Sequence, residues 1–413
     1  MHPSESFLFR AARWLTAASA VSVLFSIAAC QILLALAVAA LLLSGEKLRL
    51  PPIALPLGLF LLGTVVSLAL SGNAAAGLPQ IRKFYVFLTL LVVCSTLRDI
   101  AWIRRLFLCW AGVGAVIALR GYVQFAAKVQ AAREAGTSFY EYYVGERITG
   151  FMSHWMTFSG QEMFALLMLL AFVLFAPTAR RYLWLWLFCS ALMAFAILLG
   201  FTRSIWMTTG AAAVYLLWFW RRWVAAAVPF LALLAFLASP PAIRERFTSV
   251  LQPKRNTDSN QHRIVTWRTG VAMIRRHPWF GLGPEGVKLH FDEYVPPDIP
   301  RPLPEGWYGH LHNIYLHYAA ERGIPTMLAL MWLLLRILYD FWRSLRVLPP
   351  KRSDEAFLLH GGIAILIATM VAGFFELNLG DSEVLTMFLV VVGCGYAAVE
   401  RVAAGRSEGA AVA

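Results

Sequence analysis

Charge is scarce in this chain. Of its 413 residues only 14% are Asp, Glu, Lys or Arg, while 59% are hydrophobic. That deficit excludes a soluble globular protein, which at this length needs far more polar surface to face water. Sustained alternation of polar and apolar residues is lacking too. Unbroken runs such as Met163–Phe175 and Ile363–Ala372 stand where a membrane barrel would show alternating ten-residue segments. There is no CxxC and no Cys/His metal spacing. Cys30, Cys94, Cys109, Cys189 and Cys394 all fall in apolar runs, as small hydrophobes do. A P-loop, a GxSxG elbow and a DxD motif are missing; Asp292-Glu293 does not supply the last. These absences disfavour ATP-driven and metal-dependent sugar-nucleotide chemistry.

What is there is a succession of apolar stretches, each able to cross a hydrocarbon core roughly 30 Å thick. They predict an all-α polytopic membrane protein with spans at 14–27, 28–43, 52–70, 80–97, 103–127, 156–176, 182–199, 204–220, 223–239, 314–340, 356–376 and 383–400. Arg10 and Arg13 before the first run resemble the start of a signal peptide. The run continues to Leu43 without a convincing cleavage site, so it reads as retained anchor helices.

The net charge of +13 does not point to nucleic acid, because the basic residues punctuate the ends of apolar runs. With the N-terminus in the cytoplasm, seventeen Lys and Arg fall in cytoplasmic segments or span ends, from Arg10 to Arg406. The short segments on the other side carry chiefly Arg82, Lys83 and Arg203. That asymmetry predicts twelve spans with both termini cytoplasmic. The chain then divides into a bundle over 1–239, a large non-cytoplasmic loop over 240–313 and a C-terminal part over 314–413, with a shorter outer segment near 128–155. A long ordered loop on a membrane scaffold is usually functional.

The outward basic residues do not help topology. Arg82 and Lys83 open a span, Arg203 sits in Thr202-Arg203-Ser204, and Arg263 lies four residues before Trp267. Any one of them could simply snorkel to the interface. Three such sites facing one compartment suit a phosphate or pyrophosphate at the membrane surface. The loop ends in His310-Leu311-His312-Asn313, with His317 beyond. No acidic or Cys residue completes a metal set there, and a single histidine as general base or charge stabiliser is the simpler reading. Asn313 can orient His312, bind sugar or cap the helix starting at Ile314. Trp307 and Tyr308 could stack on sugar rings, though aromatics are expected at an interface anyway. Of Glu376, Asp381 and Glu383, near the last outer turn, one could pair with an arginine or bind an acceptor, and the sequence does not choose among them. Pro278–Gly286 looks superficially like a dinucleotide loop but has no βαβ context. It predicts a tight turn that brings backbone close to a ligand or another helix.

His312-Asn313, followed after nine residues by Gly323-Ile324-Pro325-Thr326, resembles the signature of bacterial O-antigen ligases. Thr202-Arg203-Ser204, Arg263 with Trp267, and Pro278 with Gly281-x-Gly283 resemble the wider family of O-antigen ligase-like membrane proteins. The resemblance implies a fold similar to the C-type lipid-dependent glycosyltransferases, with about twelve transmembrane helices and a large periplasmic loop. It implies a glycosyltransferase of lipopolysaccharide biosynthesis in the bacterial inner membrane, with a periplasmic active site and no cofactor. The donor would be O-antigen on undecaprenyl pyrophosphate and the acceptor a hydroxyl of lipid A–core oligosaccharide. His312 would be the catalytic base; Arg203, Arg263 and Arg82 would hold the pyrophosphate; Asn313, His310, Lys83 and Glu376 would support them. O-antigen polymerases and protein O-oligosaccharyltransferases share the wider family and keep the donor while changing the acceptor. A transporter is disfavoured because most spans lack central charges and the candidates cluster at one edge.

Overall fold

The computed structural model describes residues 6–239, 244, 259–349 and 351–412. Among them there is helix and no strand, as unbroken apolar runs require of a chain whose backbone must satisfy itself in lipid. In chain order the helices are α1 (Phe7–Ser22), α2 (Ile27–Leu43), α3 (Ala54–Leu70), α4 (Ala74–Arg82), α5 (Leu88–Thr96), α6 (Ile100–Glu134), α7 (Phe139–Gly145), α8 (Trp155–Phe175), α9 (Leu183–Leu199), α10 (Arg203–Trp220), α11 (Arg222–Ala238), α12 (Ser259–Arg276), α13 (Gly286–Tyr294), α14 (Ile314–Arg322), α15 (Ile324–Leu345), α16 (Asp354–Ala372) and α17 (Ser382–Val412).

Every expected span falls on helical structure. By length and composition, seven helices among the described residues can cross a membrane, and three shorter apolar helices lie at Ile27–Leu43, Ala54–Leu70 and Arg222–Ala238. The protein is a multi-pass membrane protein. Helix α8 is its axis. It is apolar all round and almost wholly buried, as a helix enclosed by others must be. It packs against α6, α9, α10, α16 and α17.

Two expected spans are broken. The stretch expected at 80–97 is α4 and α5 joined by a 3-10 turn over Lys83–Phe87, a tighter winding that interrupts the α-helical ladder. The span expected at 314–340 is α14 and α15 meeting at Gly323, whose φ is 83°. A Cβ there would run into the Trp279 carbonyl, so only glycine fits. The turn at Pro278–Gly283 seals this break. Leu282 N donates to Ala320 O (2.9 Å) and Gly283 N to Glu321 O (2.8 Å), while Ile324 N donates to Pro278 O (2.8 Å). The first two bonds satisfy last carbonyls of α14 and the third the first N–H of α15, groups that helix ends leave without partners. The glycine-rich turn therefore serves another helix.

The segment expected as a loop over 240–313 lies partly outside the described residues, up to 258 except Arg244. Its described remainder holds two helices, α12 and α13, with a small core of its own. Val265, Met273, Val287, Phe291, Ile299 and Leu311 are buried there, joined by Ala320 of α14.

Candidate active site

The start of α14 is pinned twice. Asn313 caps it, its side-chain oxygen accepting from Tyr315 N and Leu316 N at 3.0 Å each. Ile314 N and Asn313 Nδ2 donate to the carbonyls of Gly373 (2.7 Å) and Phe374 (3.3 Å). The turn after α16 is thereby laid against the His312 backbone, and Glu376 reaches the imidazole. His312 itself takes a left-handed conformation, φ 47°. A non-glycine residue rarely does so, and such conformations gather at functional sites.

Glu376 joins two elements. One oxygen accepts from Arg263 Nη2 of α12 at 2.8 Å, and the other lies 3.2 Å from His312 Nδ1. Burial pushes the Glu376 carboxyl up, but the hydrogen bond and charge of His312, with the charge of Arg263, outweigh it and hold the carboxyl below the usual range. A carboxylate can only accept. His312 Nδ1 therefore carries the proton in this contact, and Nε2 is its other ring nitrogen. That atom is buried and has no hydrogen-bond partner. A histidine oriented by a carboxylate with its other nitrogen open is the arrangement of a general base.

His312 belongs to the wall of a cavity of about 940 Å³. Of the expected residues, His312, His310, Arg203, Arg263, Lys83 and Glu376 line it. Arg203, first residue of α10, is 8% exposed, with Nη2 3.1 Å from Asn260 Oδ1. Lys83 Nζ lies 3.4 Å from Gly380 O. Two expected residues stand apart. Asn313 is a buried helix cap rather than a lining residue. Arg82 is exposed and does not reach the cavity. Successive helical residues point about 100° apart, so of Arg82 and Lys83 only Lys83 faces inward.

The cavity also gathers residues that the expectation did not name as site. Arg147 and His154 come from the segment before α8. The Arg147 guanidinium lies 5.0 Å from the Trp155 ring centroid, and His154 stacks on the same ring at 4.2 Å. His317, Glu321 and Arg322 come from α14, with His317 Nε2 3.4 Å from Glu321 Oε2. Asp381 accepts from Thr157 Oγ1 at 2.9 Å. Burial pushes its carboxyl up, partly offset by that bond and by Lys83. The signal for α14 was present in the sequence: three ionisable residues inside one apolar span ask for a function.

His262 and His310 flank His312, their ring centroids 5.1 and 4.0 Å from its own. Burial, then the charge of His312, drives His262 down to about 4 and His310 down to about 2. Both are neutral near neutral pH. Among the described residues, no group of three or more His, Cys, Asp and Glu is arranged to hold a metal ion. The arrangement can take a proton at His312 Nε2 while fixed guanidinium groups receive negative charge nearby.

No curated protein matches the chain. The family model described as O-antigen ligase matches residues 188–331, a segment that contains Arg203, Arg263 and His312. Over that segment the chain is similar to the O-antigen ligase family.

Proposed function

We propose that the protein is an O-antigen ligase, moving a glycan from undecaprenyl pyrophosphate to a hydroxyl of lipid A–core oligosaccharide on the periplasmic face of the inner membrane. One observation carries the reading. His312, with its Nε2 unpartnered and its Nδ1 on the Glu376 carboxylate that Arg263 also holds, lines a large cavity with Arg203 on the same wall. The acceptor O–H approaches the anomeric carbon of the donor. Its oxygen forms the new C–O bond, its proton passes to His312 Nε2, and the bond from the anomeric carbon to the pyrophosphate oxygen breaks. The electron pair leaves with the pyrophosphate, and the Arg203 guanidinium stabilises the added charge. Arg263 keeps Glu376 ionised and in place, and lends its charge to the same region. Fixed cations here take the part that a divalent metal takes in other transferases. A single displacement inverts the anomeric configuration; an NMR assignment of the new linkage with the donor configuration retained would exclude it.

The test is complementation of a ligase-deficient bacterium. Wild type should restore capping of lipid A–core, and His312→Ala and Arg203→Ala should not. Capping by both variants would remove the assigned roles. Failure of wild type, followed by transfer to glycan or protein acceptors from the same purified donor, would replace the ligase with a polymerase or protein oligosaccharyltransferase.

A further inference from the structure

Trp307 and Tyr308 are neighbours in the loop before α14, with different surroundings. Tyr308 turns into the core of the loop. Its ring lies 4.5 Å from that of His262 and 4.7 Å from that of Phe291, and its hydroxyl donates to Pro304 O at 2.6 Å. Trp307 is 59% exposed and lines the cavity. Its ring is nonetheless held. It meets the His310 ring at 85°, centroids 4.8 Å apart, and a Cβ on Gly309 would fall 2.0 Å from its Cζ2. Only glycine at 309 leaves the ring room to lie there. Gly306 is seated likewise, since a Cβ there would run into the His262 ring. His310 in turn lies 4.0 Å, ring to ring, from His312. A single side chain thus separates the Trp307 ring from the proposed base.

An indole held in this way leaves apolar surface uncovered unless a partner meets it. Other strongly exposed tryptophans, Trp184 and Trp223, lie on the apolar helices α9 and α11, where lipid covers such rings. Trp307 lies on no helix, and the cavity it lines also carries His154, Arg203, Arg263 and Glu376. A lipid tail does not suit that setting. A molecule with an apolar face and a polar rim does. The face of an indole is electron-rich and attracts C–H bonds, and a pyranose ring presents C–H bonds on its face and hydroxyls around its edge. Glu305, two residues before Trp307, is exposed on the same cavity wall. Its carboxylate has no hydrogen bond or ion pair among the described residues, and a carboxylate accepts well from neighbouring hydroxyls.

We infer that Trp307 and Glu305 form a sugar subsite for the acceptor, Trp307 stacking on the C–H face of a pyranose while Glu305 accepts from its hydroxyls. The choice of the acceptor rests on the transfer proposed above, in which the acceptor hydroxyl meets His312. The subsite itself rests on the ring seated at Gly309 and the carboxylate beside it. Neither side chain touches the reacting atoms; they set which sugar is brought to His312.

The test uses the purified full chain in nanodiscs. The probe is core oligosaccharide freed of lipid A by mild acid, so binding is read without transfer. Wild type should bind it, and saturation-transfer NMR should mark the C–H protons of one sugar face. Trp307→Ala should raise Kd about tenfold, as loss of a central aromatic contact does. In transfer assays it should raise KM for the acceptor to a similar extent and leave kcat and the donor KM nearly unchanged. Trp307→Phe keeps a ring and should recover most of the loss. Gly309→Ala pushes the indole off its seat and should repeat the loss. Glu305→Gln should show a smaller one. Trp279→Ala removes a ring that is 69% exposed but outside the cavity, and should change nothing. The inference is overturned by absent binding to wild type, by unchanged Kd in folded Trp307→Ala, by a raised donor KM in place of the acceptor KM, or by an equal loss in Trp279→Ala. Trp307-dependent binding without transfer to the core would leave this subsite standing and remove only the ligase reading.

Discussion

Two buried carboxylates make an instructive pair. Asp340 lies on α15, some 25 Å of helix beyond the break at Gly323. Its oxygens accept from Arg336 Nε at 3.1 and 2.9 Å, and one also accepts from Tyr396 Oη at 2.9 Å. Glu376 likewise accepts from an arginine and a second side chain. The difference lies one atom further out. The groups around Asp340 leave no buried polar atom unpartnered, whereas His312 Nε2, Arg263 Nε and His262 Nε2 around Glu376 are all buried without partners. A closed network holds helices together; an open one in a cavity has bonds to offer a substrate.

The sharpest way to break that comparison is at His312. His312→Ala should lower kcat for glycan transfer by about 10²–10⁴-fold, the usual range for a lost general base. Glu376→Gln, which keeps shape but loses the charge that fixes the tautomer, should fall in the same direction. Normal turnover of both purified variants would place Glu376 in the same class as Asp340. Asp340→Ala should do the opposite, costing about 1.5–3 kcal/mol of stability for bonds to a charged group and leaving kcat per folded molecule unchanged; a thermal melt beside an activity assay separates the two. Gly323→Ala forces a left-handed residue against the Trp279 carbonyl. About 1–3 kcal/mol should be lost, read as a lower melting temperature. Asn313→Ala removes a cap and should cost about 1 kcal/mol, with more turnover remaining than in His312→Ala.

A separate effect is a pH dependence. The fold holds His262 neutral, its pKa lowered from about 6.5 to about 4. The unfolded chain therefore binds the extra proton first as pH falls. The stability contributed by neutral His262 is complete above pH 6.5 and declines toward pH 4. Melting temperatures from pH 7.5 to 4.5 should show that decline, and His262→Gln should flatten it. An equal slope in the variant would assign the decline to other groups.

Much of the helical layout was legible because apolar run length is a local property. The breaks were not. Hydropathy does not register that Gly323 takes φ 83°, nor that Lys83–Phe87 winds as a 3-10 turn. The same blindness hid Arg322, which was counted inside one long span. Arg82 and Lys83 are adjacent in the sequence, and only the helical phase tells which turns inward. His312 and Arg203 could be singled out by residue type and position. The bond from Glu376 to His312 spans 64 residues, and no local pattern encodes it. Arg147 and His154 were passed over because the segment before α8 carries no motif.

That last bond has a consequence for how the protein matures. His312 and Arg263 are made and placed well before the chain reaches residue 376. Until α16 has entered the bilayer and its following turn has emerged, the imidazole has no carboxylate to set its tautomer. The link between the two elements is thus among the last things assembled during synthesis. A nascent chain stalled or truncated before α16 is complete would carry the histidine and both arginines without the carboxylate that joins His312 to Arg263.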